Sequence, residues 1–435
     1  MPKHQKKAAI PPEPLTFAHG QTVPGPSLDG AVLVPELSPE HALVVLRVYR
    51  TLRMCARWGW LMGPALTDER VEEWEHQVLR DVDVRYQERP DDRHLQLITA
   101  VASMFSDLRH AEETEINELY DSSMHVSEWG LQHEKNEVTV AFPAATALLW
   151  VDNARMAWLA GKLFRTRGML REAEYWFRRA DRVATWHEDW DARALSLNSL
   201  GNLTLQVGNY QEATELYQRG LRIARRNGLR AREGELLHDL FITASATNDL
   251  RRAEEYARCA YERYQPNHPK LPALAHDTAY FWIGRGYYRK ALDVLEAVLP
   301  HIVEPEERLR ALTNTARAAG GCGNRLLFER LWLESWALFY KLPHGRPVAT
   351  ALIELGIGAA CLQDWEHATE ALERAVAIAH RSREADVLVR AEPILKQVQA
   401  KDTRGLLLAR ARPGKDGDTF ASDLVESLQL FAVQK

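Results

Sequence analysis

Imidazoles, thiols and carboxylates carry most protein chemistry, and in this chain they fall at unproductive spacings. His187-Glu188-Asp189 and His133-Glu134 set imidazole beside carboxylate. Neither continues as H-E-x-x-H, the spacing that puts two imidazoles on one helix face around a zinc ion. The remainder of the 16 histidines are scattered. Cys55, Cys259, Cys322 and Cys361 form no C-x-x-C pair, which argues against a zinc ribbon or a disulfide framework and fits a reducing compartment. Gly320 to Asn324 reads G-G-C-G-N but lacks the lysine and hydroxyl residue of a phosphate loop. There is no G-x-S-x-G elbow and no Cys/His nucleophile signature. The expectation is a non-enzymatic protein with no cofactor and no metal.

Aromatic and charged residues narrow the classes further. Of the 13 tryptophans, Trp58/Trp60, Trp186/Trp190 and Trp332/Trp336 come as close pairs and are expected in the core. Lys+Arg 55 against Asp+Glu 60 leaves net −5, so no global basic excess favours nucleic acid or an anionic membrane. Hydrophobic residues at 46% and charged residues at 26% of 435 are the balance of a folded chain with ample core material. The longest nearly apolar run, Ala141 to Val151, is too short for a bilayer. The start has charge but no apolar stretch before its prolines, so no secretory signal is expected. A cytoplasmic location follows as the expectation.

The elements that must position these residues are helices. Residues 1–37 hold seven prolines and no helical period. They are expected as a disordered tail whose prolines prevent regular pairing. Ser38-Pro39 reads as an N-cap with proline at the first helical position. Apolar faces at Leu43, Leu46, Leu52 and Cys55, at Val71, Trp74 and Val78, and at Leu95, Ile98, Val101 and Phe105 predict a helical block over 38–139. Between 40 and 135 it carries 11 Lys+Arg against 19 Asp+Glu, a balance of −8.

From 140 to 400 the chain repeats itself about six times. Gly168, Gly208, Asn248, Gly286, Gly323 and Gln363 are separated by 40, 40, 38, 37 and 40 residues. Each is read as a turn between two helices, where glycine or asparagine permits positive φ. Five residues later come Ala173, Ala213, Ala253, Ala291, Phe328 and Ala368, and nine later Phe177, Tyr217, Ala257, Leu295, Trp332 and Leu372. Seven residues before stand Gly161, Gly201, Phe241, Ala279, Ala316 and Gly356. Small residues let two antiparallel helices approach, and the large one is expected to fill the gap to the next pair. Stacking then buries the face each pair leaves open. Residues 401–435 are expected as a C-terminal tail.

Leu200-Gly201 with G-N-Y-Q-E-A at 208–213 and Tyr217 resembles the tetratricopeptide repeat. So do Leu355-Gly356 with D-W-E-H-A at 364–368, and Gly161, Phe164, Gly168, Ala173, Phe177 and Ala180. The segments at Asn248, Gly286 and Gly323 are degenerate, the last because Phe328 replaces the packing alanine. The period exceeds the usual ~34 residues and is similar to the longer repeats of bacterial regulators and signalling sensors. The resemblance implies an all-α, right-handed superhelix, an α-solenoid of antiparallel helix pairs with the N-terminal block beside it.

The resemblance also implies a groove lined by the first helix of each pair. Its inward positions are Arg155, Trp158, Lys162 and Arg165 in the first repeat, and Asn198 and Asn202 in the second. Glu235 and His238 follow, then His276 and Tyr280, then Arg310, Thr313 and Arg317. The sixth repeat offers Thr350, Ile353, Ile357 and Ala360. This only loosely resembles the carboxylate clamp of chaperone-binding members, since Glu235 stands where a clamp needs a cation. The expected function is a protein-binding adaptor or regulatory scaffold that holds a partner segment, acidic in character, in this groove. A Rap-like peptide-sensing regulator and the repeat sensor of a transcription regulator are the alternatives, although no basic recognition helix accompanies the acidic block.

Overall fold

The computed structural model of the chain describes residues 153–166, 168–264, 268–343, 345–402, 412 and 418–433, with two short strands near the start. The expected helical block at 38–139 lies outside the described residues. Within 1–37, β1 (Leu15–Thr16) and β2 (Thr22–Val23) pair antiparallel with Leu15 opposite Val23. Regular pairing therefore occurs in a stretch whose prolines were expected to prevent it, because none of the four paired residues is a proline.

Every other regular element among the described residues is helical, as expected, and consecutive helices pack as antiparallel pairs. The chain divides into two units, Met1–Arg232 and Glu233–Lys435. The first holds α1 (Ala154–Thr166), α2 (Leu170–Trp186), α3 (Trp190–Gln206) and α4 (Tyr210–Arg226). Helix α5 (Arg230–Ala246) begins in the last residues of the first and lies mostly in the second, followed by α6 (Leu250–Arg263), α7 (Leu271–Gly284) and α8 (Tyr288–Val298). Next come α9 (Pro305–Gly321), α10 (Arg325–Phe339), α11 (Arg346–Cys361), α12 (Trp365–Ser382), α13 (Ala385–Gln399) and α14 (Phe420–Val433).

All six expected turn residues adopt positive φ, from +59° at Asn248 and Gln363 to +83° at Gly208. The left-handed residue lets the next N–H reach back five residues, as Asn209 N–H does to Thr204 C=O at 2.9 Å. An asparagine or aspartate often follows it and caps the next helix: Asn209, Asp249, Asn324 and Asp364 each accept from a backbone N–H three residues on. The same turn recurs between pairs. Gly168, Glu188, Gly208, Gly228 and Asn248 are all left-handed and 20 residues apart, so the backbone repeats at half the sequence period. Glu188 and Arg383 hid this, since neither type favours positive φ.

The glycines seven residues before the turn explain the close helix approach, with one correction. A Cβ on Gly161 would lie 2.6 Å from the Phe177 ring, one on Gly201 2.4 Å from the Tyr217 ring, and one on Gly356 2.8 Å from Leu372. The large residue thus sits on the glycine of its own pair rather than in the gap to the next. The fifth repeat solves the same problem differently. A Cβ on Gly320 would lie 2.2 Å from the Gly358 carbonyl oxygen, and one on Gly358 3.0 Å from Phe328 Cε2. Bare backbone on α9 and α11 makes the room that the missing alanine would have made beside Phe328.

The C-terminal region is not simply a tail. Helix α13 ends on Lys401 at φ +54°, and Asp402 N–H bonds the Gln397 carbonyl at 2.9 Å. It is therefore a seventh first helix, its turn residue 38 positions beyond Gln363. Helix α14 packs on α7 and α8. Phe420, Leu424 and Leu428 are buried there, with Phe420 edge-on to Trp282 at 5.7 Å. Asp418 pairs with Arg258 at 2.7 Å and with Lys290. Burial opposes its charge, but the hydrogen bonds from Lys290 and Arg258 prevail and hold its carboxyl down at about 2.

Candidate functional site

In the first unit the structure brings six of the expected groove residues onto the α1 and α3 faces. Arg155, Trp158, Lys162 and Arg165 run along α1, because residues three and four apart share a helix face. Arg155 bonds Asp191 at 3.1 Å, and Asp191 also accepts from Arg232 Nε at 3.2 Å. Trp158 donates its indole N–H to Ser199 Oγ at 2.7 Å, which fixes the ring across the two helices. Lys162 stands 5.6 Å from the centre of that ring and is exposed. Among the described residues no carboxylate pairs with Lys162 or Arg165. Asn202 accepts from Tyr217 Oη at 2.8 Å and donates to Asn198 at 3.4 Å.

The second unit treats the same positions differently. His238, His276 and, in the first unit, Asn198 are buried, at 8, 3 and 4% exposure. His238 and His276 engage side chains on neighbouring first helices, while Asn198 accepts from Asn202 on its own helix. His238 Nε2 donates to Asp277 Oδ2 and His276 Nδ1 to Asp277 Oδ1, both at 3.1 Å. Asn314 Nδ2 donates to His276 Nε2 at 3.0 Å, so that imidazole carries its proton on Nδ1. Burial opposes the Asp277 charge, yet the hydrogen bonds from His238 and His276 hold its carboxyl far below the usual range. One buried relay thus ties α5, α7 and α9 together.

A second relay continues along α7, α9, α11 and α13. Arg317 and Arg390 both grip Glu354, whose side chain is 3% exposed, and Tyr280 Oη donates to it at 3.0 Å. Burial opposes the Glu354 charge, but the two guanidinium groups outweigh it and keep the carboxyl below its ordinary value. Arg317 is raised, with burial overcome chiefly by the Glu354 charge. Two expected groove residues, Arg317 and Tyr280, are therefore engaged by a carboxylate of this chain. Arg310 remains exposed, 4.0 Å from Glu307, and Glu235 pairs with Lys270 at 3.1 Å. Asp277, Asn314, Glu354 and Arg390 did not stand out in the sequence, yet each lies about one repeat period from the residue it engages.

The tryptophan pairs expected in the core divide between core and surface. Trp332 and Trp336 are buried and edge-on at 5.6 Å, whereas Trp186 is exposed. Among the described residues Cys259, Cys322 and Cys361 form no disulfide, no group of His, Cys, Asp and Glu is placed to hold a metal, and no helix is long and apolar enough to cross a membrane.

Residues 191–265 match the tetratricopeptide repeat family. No curated protein sequence is significantly similar to the chain. Among solved structures, aspartyl phosphate phosphatase F from Bacillus subtilis is similar at a TM-score of 0.45 and 10% identity, over 87% of this chain and 98% of that one. A Rap protein solved with competence and sporulation factor gives 0.44 and 12%, over 79% and 98%. BtubC from P. vanneervenii gives 0.40 and 17%, over 53% and 95%. None of the three reaches 0.5. The helix pairs between 191 and 265 are tetratricopeptide repeats, and the described pairs on either side of them use the same left-handed turn.

Proposed function

We propose that this chain is a protein-interaction scaffold that binds a partner segment on the α1–α3 face of its first unit. The observation that carries the proposal is the exposed Lys162 ammonium above the Trp158 ring, with Arg165 a turn further along. An acidic segment suits this surface. Arg165 can bond a carboxylate bidentately, Lys162 adds a point charge, and the indole offers an apolar platform. Arg155 is partly neutralised by Asp191 and serves mainly to brace α1 against α3. In the second unit Arg317 and the imidazoles of His238 and His276 are engaged by Glu354 and Asp277, so that unit contributes rigidity.

The test is affinity capture from the source cells with wild-type chain and with a Lys162→Glu, Arg165→Glu variant. Each charged contact is semi-exposed and contributes about 0.2–1 kcal/mol, so the pair should weaken capture several-fold and the loss should shrink as salt rises. Capture that is equal for both chains at low salt, with helical content unchanged, refutes the α1–α3 assignment.

A further inference from the structure

Helix α4 ends in arginines that the chain leaves without carboxylates. From Gln218 to Arg232 there are six arginines and no lysine, aspartate or glutamate, a local excess of positive charge inside a chain of net −5. Arg219, Arg222, Arg225, Arg226 and Arg230 are exposed. Arg219, Arg222 and Arg226 stand at i, i+3 and i+7, which lines them along one face of α4. The other face is the packed one, with Leu216, Tyr217, Leu221 and Ala224 buried. Like charges three and four residues apart destabilise a helix, and other helices of this chain offset their arginines. Arg178 pairs with Glu174 on α2, Arg251 with Glu255 on α6, Arg289 with Asp293 on α8 and Arg330 with Glu334 on α10. Arg222, Arg225 and Arg226 have no carboxylate within four residues on either side. Among the described residues no ion pair holds Arg222 or Arg226.

Attraction to the helix C-terminus accounts for Arg225 and Arg226 in the last turn, but it fades before Arg219 and Arg222. The cluster therefore serves something outside the helix, and its chemistry selects the occupant. Guanidinium groups bond phosphate oxygens bidentately, and this stretch uses them to the exclusion of lysine. Helix α2 ends on Trp186, 46% exposed at the repeat position that Arg226 holds on α4. Helices α2 and α4 both pack on α3, and the Arg219 charge acts on Asp181 of α2. Cations that track a phosphate backbone beside an open aromatic ring are what an unpaired strand requires. An anionic membrane fits less well, because among the residues of α4 from Gln218 onward no large apolar side chain is exposed for insertion.

We propose that the arginine face of α4, together with Trp186, binds single-stranded nucleic acid. Arg219, Arg222 and Arg226 hold phosphates along the strand, and the indole stacks on a base. This goes beyond the partner-segment reading, which uses the α1–α3 face, and does not depend on it. Phosphate contacts without base-edge contacts give sequence-independent binding, with a Kd of about 1–100 µM at physiological salt.

Fluorescence anisotropy of the full chain with labelled oligo(dT) and oligo(U) of about 12 nucleotides tests the proposal between about 50 and 200 mM salt. The logarithm of the affinity is expected to fall with that of salt at a slope of about −2, the value for three phosphates on a single strand. Arg222→Gln with Arg226→Gln should weaken binding tenfold or more and bring the slope to about −0.7, at unchanged helical content because both sites are exposed. Trp186→Ala should weaken binding several-fold at an unchanged slope, since stacking releases no counterions. Preference for either strand supports the proposal and distinguishes DNA from RNA. Four results overturn it: no binding, a slope that the double variant leaves unchanged, a duplex of the same length bound as tightly as the strand, or polyglutamate competing equally well. The last would make the occupant an acidic protein.

Discussion

Glu354 is a buried carboxylate held between Arg317, Arg390 and the Tyr280 hydroxyl. Removing one partner of a buried ion group costs more than the group contributes net, because the remaining charges stay desolvated. Glu354→Gln is therefore expected to lose about 3–5 kcal/mol in urea unfolding, and a loss below about 1 kcal/mol would mean water reaches both guanidinium groups. Asp277 and Glu354 both titrate below the ordinary carboxylate range in the fold. Their stabilisation is thus full above about pH 4 and is lost as pH falls through the folded values. The thermal midpoint should hold from neutral pH to about 5, drop steeply below about 4, and drop less steeply in an Asp277→Asn, Glu354→Gln variant that starts lower. The sequence pointed to Arg317, Tyr280, His238 and His276 but could not say that carboxylates of this chain engage them. His238, His276 and Arg317 have partners 37 to 39 residues away in Asp277, Asn314 and Glu354, and Tyr280 reaches Glu354 across 74, and the helix-face pattern does not distinguish an open groove from the seam between neighbouring first helices. Opposite charges one repeat apart were the available signal.

At the scale of the helix pair, two glycines seven residues apart do different work. Gly201 is helical, and an added Cβ would meet the buried Tyr217 ring at 2.4 Å. Gly201→Ala should destabilise by about 1–3 kcal/mol from overpacking, although alanine is the better helix former by about 1 kcal/mol. Gly208 has open space around it but φ of +83°, so Gly208→Ala should cost only about 1 kcal/mol, from backbone strain. Matched thermal melts of the two variants check the order. These turns were legible because glycine and asparagine advertise positive φ, whereas Glu188 and Arg383 occupy the same geometry without advertising it. Helix α14 was missed for another reason: Phe420, Leu424 and Leu428 are too few to make a period stand out, and their docking site lies on α7 and α8. Asp418→Asn removes the charge that Arg258 and Lys290 hold. It should raise amide exchange across 420–433 while leaving the earlier helices protected.

For the whole molecule, the repeat period established the α-solenoid class before any coordinate, because six turns at near-constant spacing leave few other ways to bury the helix faces. The division of labour between units was not legible, since the same repeat positions carry polar groups in both. In the first unit Lys162 stands at the surface, whereas in the second Arg317, at the repeat position of Lys162, is held by Glu354, and His238 and His276, at that of Trp158, are bonded to Asp277. The proposed partner surface is therefore the one on α1 and α3. Hydrogen–deuterium exchange of the captured complex against the free chain measures this most directly. Protection should appear over 155–165 and 191–202, with the inner helices α7, α9 and α11 unchanged because they are already sealed. Protection confined to α7, α9 and α11, with α1 exchanging as in the free chain, would contradict the account.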